Sequence, residues 1–265
     1  MRIEFTKMSG AGNDFIVLGP AYASLKSRAS DLARMLCPRK TAVGADGLIL
    51  VEQADGLVMH YHNSDGSEAS FCGNGARCMV VFCAGKGIAA GEIRFRSGSG
   101  RHIGTVVDGG ARVSMAPARM DKEVSLCVEG EDYVVRLVRA GVPHAVVICR
   151  EVGAVDLDTV GRSIRSHPIF GDEGANVDFV ARGESREFLI RTFERGVEGE
   201  TLACGSGCVA AALVLRDEGL AGDVVEFRVA SGDLLRVELP REEGQVVLLA
   251  GPARMVYEGS LDIDL

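Results

Sequence analysis

The stretch Glu200-Thr201-Leu202-Ala203-Cys204-Gly205-Ser206-Gly207 and its shorter echo Cys72-Gly73-Asn74-Gly75 each set a cysteine in a glycine-rich turn that opens an apolar run. The runs predict helices over Ala76 to Gly85 and Gly207 to Glu218, both ending near glycines. The echo extends outward from the cysteines. Gly44-Ala45-Asp46 returns as Gly174-Ala175-Asn176, Ser99-Gly100 as Ser231-Gly232, and Pro117-Ala118-Arg119-Met120 as Pro252-Ala253-Arg254-Met255. The landmarks keep their order while the spacing drifts from 130 to 135 residues, as a few loop insertions would produce. A period this long implies two similar domains rather than a solenoid. The expected boundaries are 1–117 completed by 252–265, and 118–251.

Strand patterns surround each cysteine run. Alternation and β-branched residues predict strands over Gly47 to Glu52, Leu57 to His62, Glu92 to Arg96 and Arg112 to Met115. Matching strands are expected over Val177 to Ala181, Glu187 to Phe193, Val224 to Val229, Leu234 to Leu239 and Gln245 to Leu249. Further helical patterns cover Ser27 to Leu36 and Asp156 to Ser166, and the tail from Gly251 is free to return to the first domain. The fold class is therefore α/β (α+β): two similar pseudo-symmetric domains, each a mostly antiparallel, barrel-like sheet around a central helix.

Composition narrows the function. The 265 residues are 47% hydrophobic and 25% charged, typical of a globular protein, and carry a formal charge of −8. That charge, with no basic cluster, argues against a nucleic-acid partner. No apolar run has membrane-spanning length and Met1-Arg2-Ile3-Glu4-Phe5 is unlike a signal peptide, so no membrane partner and a cytoplasmic location are expected. A small-molecule partner is the default. The eight cysteines contain no CxxC pair and the histidines lack finger spacing, so no metal site is expected. Cys37, Cys83, Cys127 and Cys149 read as small buried hydrophobes, and Cys78 and Cys208 as packing residues inside the helices.

The motif cysteines are different. The first amide N–H groups of a helix lack partners within it, and aligned peptide dipoles make that end partly positive, which favours a thiolate or carboxylate there. A free thiol titrates at about 8.5, and a helix start is expected to bring it toward neutrality, where thiol and thiolate both serve in proton transfer. Two such groups, one per domain, suit racemisation or epimerisation. One thiolate takes a proton from a stereocentre and the opposing thiol returns one to the other face, while the helix starts hold the substrate carboxylate.

Three segments carry a family resemblance. The opening Phe5-Thr6-Lys7-Met8-Ser9-Gly10-Ala11-Gly12-Asn13-Asp14-Phe15, the run Asn63-Ser64-Asp65-Gly66-Ser67 leading to Cys72-Gly73-Asn74-Gly75-Ala76-Arg77-Cys78, and Glu194-Arg195-Gly196 before the Cys204 motif resemble diaminopimelate epimerase nearly end to end. The resemblance implies conversion of LL- to meso-diaminopimelate for lysine and peptidoglycan synthesis. It implies no pyridoxal phosphate or other cofactor, and it allows a homodimer. Cys72 and Cys204 become the base and acid pair, exchanging roles with direction. Gly73, Asn74, Gly75, Gly205 and Ser206 would serve the reacting carboxylate, and Asn13 and Glu194 would line the reacting end, Glu194 meeting the ammonium. His144, with Glu194, would tune a thiol. Asn63, Asn176 and Arg195 would grip the distal amino-acid group, Arg195 through a paired contact with its carboxylate.

This chain departs from that pattern in three places. Many members carry Gln at the position of Gly47 and Asn at that of Val142, and Val197-Glu198-Gly199 replaces a shorter link. A racemase of another amino acid, such as proline or histidine, would keep both cysteines without needing Asn63, Asn176 and Arg195 together. A protein using its thiols as metal ligands would need matching histidine or carboxylate spacing, which this chain lacks.

Overall fold

The computed structural model describes residues 1–242 and 246–264. The chain divides into two compact units, Met1–Ser114 with Ala250–Leu265, and Met115–Leu249. In the first, neighbouring strands follow the order Arg254–Asp262, Arg2–Gly10, Asn13–Leu18, Gly47–Ala54, Gly56–Asn63, Glu92–Ser97 and Gly100–Val107. In the second the order is Ala118–Val128, Glu131–Ala140, Val142–Ile148, Asn176–Arg182, Phe188–Glu194, Val224–Arg228 and Leu234–Glu238. The strand senses repeat in both: antiparallel, antiparallel, parallel, antiparallel, parallel, antiparallel. The mixed, mostly antiparallel sheets of the predicted fold class are present, and the internal repeat is topological as well as sequential.

Each sheet curves around one apolar helix, Gly73–Gly85 or Gly205–Asp217. Glycines allow the close approach in the first unit. A Cβ at Gly104 would lie 2.4 Å from Val80, and one at Gly10 2.9 Å from the sulfur of Cys78. A second core lies on the outer face of each sheet. Leu32 and Leu36 of helix Ala29–Leu36 pack on Ile16, Leu18 and Leu48 in the first unit, and Leu157 and Ile164 on Val147, Phe179 and Phe193 in the second. Packing on both faces fixes the register, since a one-residue slip would move every core side chain to the opposite face, where the space is shaped for others.

Several boundaries differ from the sequence reading. Both central helices begin earlier, at Gly73 and Gly205, because the cysteines themselves are the N-caps. Only Ala29–Leu36 of the first predicted helix is α-helical, following a 3-10 segment that starts at Pro20. The predicted Asp156 to Ser166 helix is a wide turn, Leu157–Gly161, followed by Arg162–Arg165; Gly161 there lies too close to Phe193 for any side chain. Strand Val247–Pro252 replaces the last predicted one, whose Gln245 lies outside the described residues. Cys127 is exposed rather than buried, because it falls on the outer side of an alternating strand between buried Leu126 and Val128, and Cys149 is half-buried. No helix among the described residues is long and apolar enough to cross a membrane.

Candidate active site

The surroundings of Cys72 in the first unit are built on a tight hairpin. Ala11 and Gly12 both take positive φ, 52° and 91°, as a two-residue turn of the mirror-image type requires, and Gly10 then pairs with Asn13. Asn13 Nδ2 donates to Asp46 Oδ2 at 3.1 Å, leaving its Oδ1 to accept from Asn74 Nδ2 at 2.6 Å. Fully buried Arg77 donates to Asn74 Oδ1 at 2.7 Å. This chain of amides fixes Asn74, two residues past Cys72 in the first turn of the helix. The hairpin is tied down by charge: Arg39 Nη2 bridges Asp14 Oδ1 and Asp46 Oδ1, 2.7 Å from each, and Lys7 sits 2.7 Å from Asp14 Oδ2. Burial alone would raise the Asp14 carboxyl, but hydrogen bonds from Arg39 and Lys7 outweigh it and hold it at about 2.

Cys72 caps its helix directly. Its extended backbone leaves its carbonyl to accept from the Ala76 amide at 2.8 Å, while its sulfur accepts from the Gly75 amide at 3.4 Å. The floor under this helix start is apolar. A Cβ on Gly75 would meet Ile49, Met59 and Phe15 at 3.1 to 3.5 Å.

The second unit repeats the cap but not the floor. Cys204 precedes helix Gly205–Asp217 with extended backbone, and its carbonyl accepts from the Cys208 amide at 3.1 Å. Its sulfur lies 3.5 Å from Ser206 Oγ and 3.9 Å from Asn176 Nδ2. Beneath the helix start stands a buried polar group: His144 Nδ1 is 2.7 Å from Asp178 Oδ2, and Thr192 Oγ1 donates to Asp178 Oδ1 at 2.8 Å. The carboxylate fixes the His144 ring by binding Nδ1.

These surroundings set the acidity of Cys204 in a sense opposite to the sequence expectation. Burial pushes the Cys204 thiol well above its ordinary value, and the carboxylates of Glu194 and Asp178 push it further; the Ser206 hydroxyl and Gly207 amide only partly oppose them. The helix start therefore does not bring this thiol toward neutrality, because desolvation and like charge outweigh a partial positive end. Glu194 is itself raised, chiefly by burial. Glu194→Gln removes one of the charges holding Cys204 protonated, so the thiolate absorbance that Cys204→Ser abolishes is expected at lower pH in Glu194→Gln than in the native protein. An unmoved titration would show that Glu194 does not act on this sulfur.

His144 enters through Asp178 rather than by a hydrogen bond to Cys204, and it also lowers the titration of Glu194. Asn176 joins the cysteine to the next residue of the site, since its Oδ1 accepts from the Arg195 amide at 2.9 Å. The Arg195 guanidinium reaches the Glu173 carbonyl at 3.1 Å and its carboxylate at 3.4 Å. Asn63 ends its strand in the first unit, engaged by Tyr61 and Ser67. The sequence reading missed Asp46, Asp178 and Thr192. Asp46 was visible only as a landmark of the repeat, and Asp178 sits inside a strand pattern with nothing to mark it.

The duplicated α/β frame, with one apolar helix in each unit, places the chain in a fold class known from solved structures. The frame is shared by a hydroxyproline epimerase from Agrobacterium vitis (15% identity, TM-score 0.69, covering 98% of this chain and 92% of that one). It is also shared by a PhzF-family phenazine biosynthesis protein from Enterococcus faecalis (15% identity, TM-score 0.73, covering 99% of this chain and all of that one). At these identities the likeness is one of fold. Within that class the chain belongs to the diaminopimelate epimerase family, whose model matches residues 5–120 and 136–256. The diaminopimelate epimerase of Aquifex aeolicus is 37% identical over 273 residues, spanning 98% of both chains. The protein is thus an isomerase of the epimerase type.

Proposed function

We propose that the protein interconverts LL- and meso-diaminopimelate without a cofactor, using Cys72 and Cys204 as its two proton-transfer groups. The observation that carries this reading is the pair of cysteine N-caps on equivalent helices, Gly73–Gly85 and Gly205–Asp217, set over unlike floors. The upward shift of Cys204 supports it as the proton donor, leaving Cys72 thiolate to remove the α-proton. The C–H electron pair spreads into the substrate carboxylate as the S–H bond of Cys72 forms. The Cys204 thiol then protonates the opposite face of the carbon and is left as thiolate. Nothing is oxidised or reduced, and the reverse direction exchanges the two roles.

Charge on the carboxylate is met by amide N–H groups at the helix starts, with Asn74 held by Asn13 and Arg77 so that its donor does not reorganise during the reaction. Glu194 pairs with the substrate ammonium. Asn63, Asn176 and Arg195 receive the distal amino-acid group, whose carboxylate takes over the guanidinium that Glu173 now holds. The expected location is the cytoplasm, and no nucleic-acid or membrane partner is required. The test is turnover across a panel of amino acids: LL-diaminopimelate should be converted to the meso isomer, with proline and histidine untouched. Preference for either of those would assign a different substrate.

A further inference from the structure

We propose that Tyr61 is a positioning residue for the distal end of the substrate, acting through Asn63; this rests on the reading of Asn63 given under Proposed function. Tyr61 and Asn63 are two apart on strand Gly56–Asn63 and so share a face, on which Gly47 stands directly opposite Asn63. Gly47 has no side chain there for a physical reason. A Cβ on it would lie 2.5 Å from the Tyr61 ring, 3.0 Å from the Tyr61 hydroxyl oxygen and 2.6 Å from the His62 carbonyl. The phenol fills the space that a side chain at residue 47 would take, with Phe15 edge-on to its ring at 6.0 Å.

The hydroxyl has a defined task in that position. Asp65 Oδ1 accepts from the Ser67 hydroxyl at 2.6 Å, so the Ser67 oxygen must act as acceptor toward its other neighbour, Asn63 Nδ2, at 3.0 Å. Asn63 Oδ1 therefore faces Tyr61, whose hydroxyl donates to it at 2.9 Å. The directional chain from Tyr61 through Asn63 and Ser67 to Asp65 leaves the amide one orientation only. Asn63 thus offers an incoming group a fixed second N–H and a fixed carbonyl lone pair. Without Tyr61 the amide would have to be ordered by the substrate itself, and affinity would fall while the chemistry at the α-carbon stayed the same.

The test is the split between KM and kcat for LL-diaminopimelate. Tyr61→Phe keeps the ring against Gly47 and Phe15 and removes only the hydroxyl; the expected result is a KM raised roughly three- to tenfold with kcat within about twofold of the native value. Ser67→Ala breaks the same chain from the exposed side and should move KM the same way. A native KM in Tyr61→Phe, or a fall in kcat without a change in KM, overturns the proposal. A native protein that turns over no diamino diacid overturns the functional reading and the proposal with it, an outcome separable from the first because it appears before any substitution is made.

Discussion

Cys72→Ser and Cys204→Ser should each lower turnover of LL-diaminopimelate by about 10²- to 10⁴-fold, the range that a positioned acid or base contributes. A hydroxyl is close to a thiol in size, and both positions keep their helix-capping backbone, so the folded state should survive. What changes is acidity. Serine is a far weaker acid than cysteine and cannot supply the base at neutral pH, nor can it release a proton as readily to a carbanion. Cys204 is the more sensitive site in packing terms, because it is only 7% exposed and lies among Ser206, Asn176, Glu194 and Asp178. Steady-state turnover beside a thermal melt separates the two effects. Near-native rates in both folded variants would remove the two-thiol mechanism.

Gly207→Ala and Gly75→Ala are the same substitution at equivalent places, and they are expected to behave very differently. A methyl on Gly207 would stand 2.2 Å from Asp178 Oδ1, inside the buried group that Asp178 forms with His144 and Thr192. Neither glycine needs a positive φ, so the conflict is one of space. Relief requires Asp178 to move, which breaks two buried hydrogen bonds and disturbs the charge next to Cys204. A loss of about 3 kcal/mol is expected from overpacking and broken buried pairing together. At Gly75 the methyl crowds the ends of Ile49 and Met59 at 3.1 and 3.2 Å, side chains that can give, and meets Phe15 in ordinary contact at 3.5 Å. The gain of up to about 1 kcal/mol from alanine in a helix offsets much of that crowding. Equal denaturation midpoints for the two variants would mean that the polar floor beneath Cys204 is not the rigid element described.

Much of this is legible in the sequence. Cysteine followed by Gly-x-Gly and an apolar run specifies a helix start with a thiol on it, and the recurrence of Ser99 as Ser231 corresponds to one repeated contact. Ser99 N donates to the carbonyl of Ser70, and Ser231 N to that of Leu202, each acceptor two residues before its cysteine. What could not be read is the difference between the halves. Phe15, Ile49 and Met59 under one helix, and His144, Asp178 and Thr192 under the other, each come from three different strands, and only sheet register brings them under a glycine. The same holds for the acidity of Cys204. A helix start argues for a lowered titration, and only burial, with the packed carboxylates of Glu194 and Asp178, reverses it. The opening strands Arg2–Gly10 and Asn13–Leu18 escaped the sequence reading because Gly10-Ala11-Gly12-Asn13 looks like a loop motif, whereas it is the turn of their hairpin.

The most direct test of the whole account is incubation of the native protein with LL-diaminopimelate in heavy water, followed by mass and stereochemical analysis of the product. Deuterium at one α-carbon, together with the meso isomer, is the predicted result. Recovery of unlabelled starting material from every diamino diacid tried would contradict it.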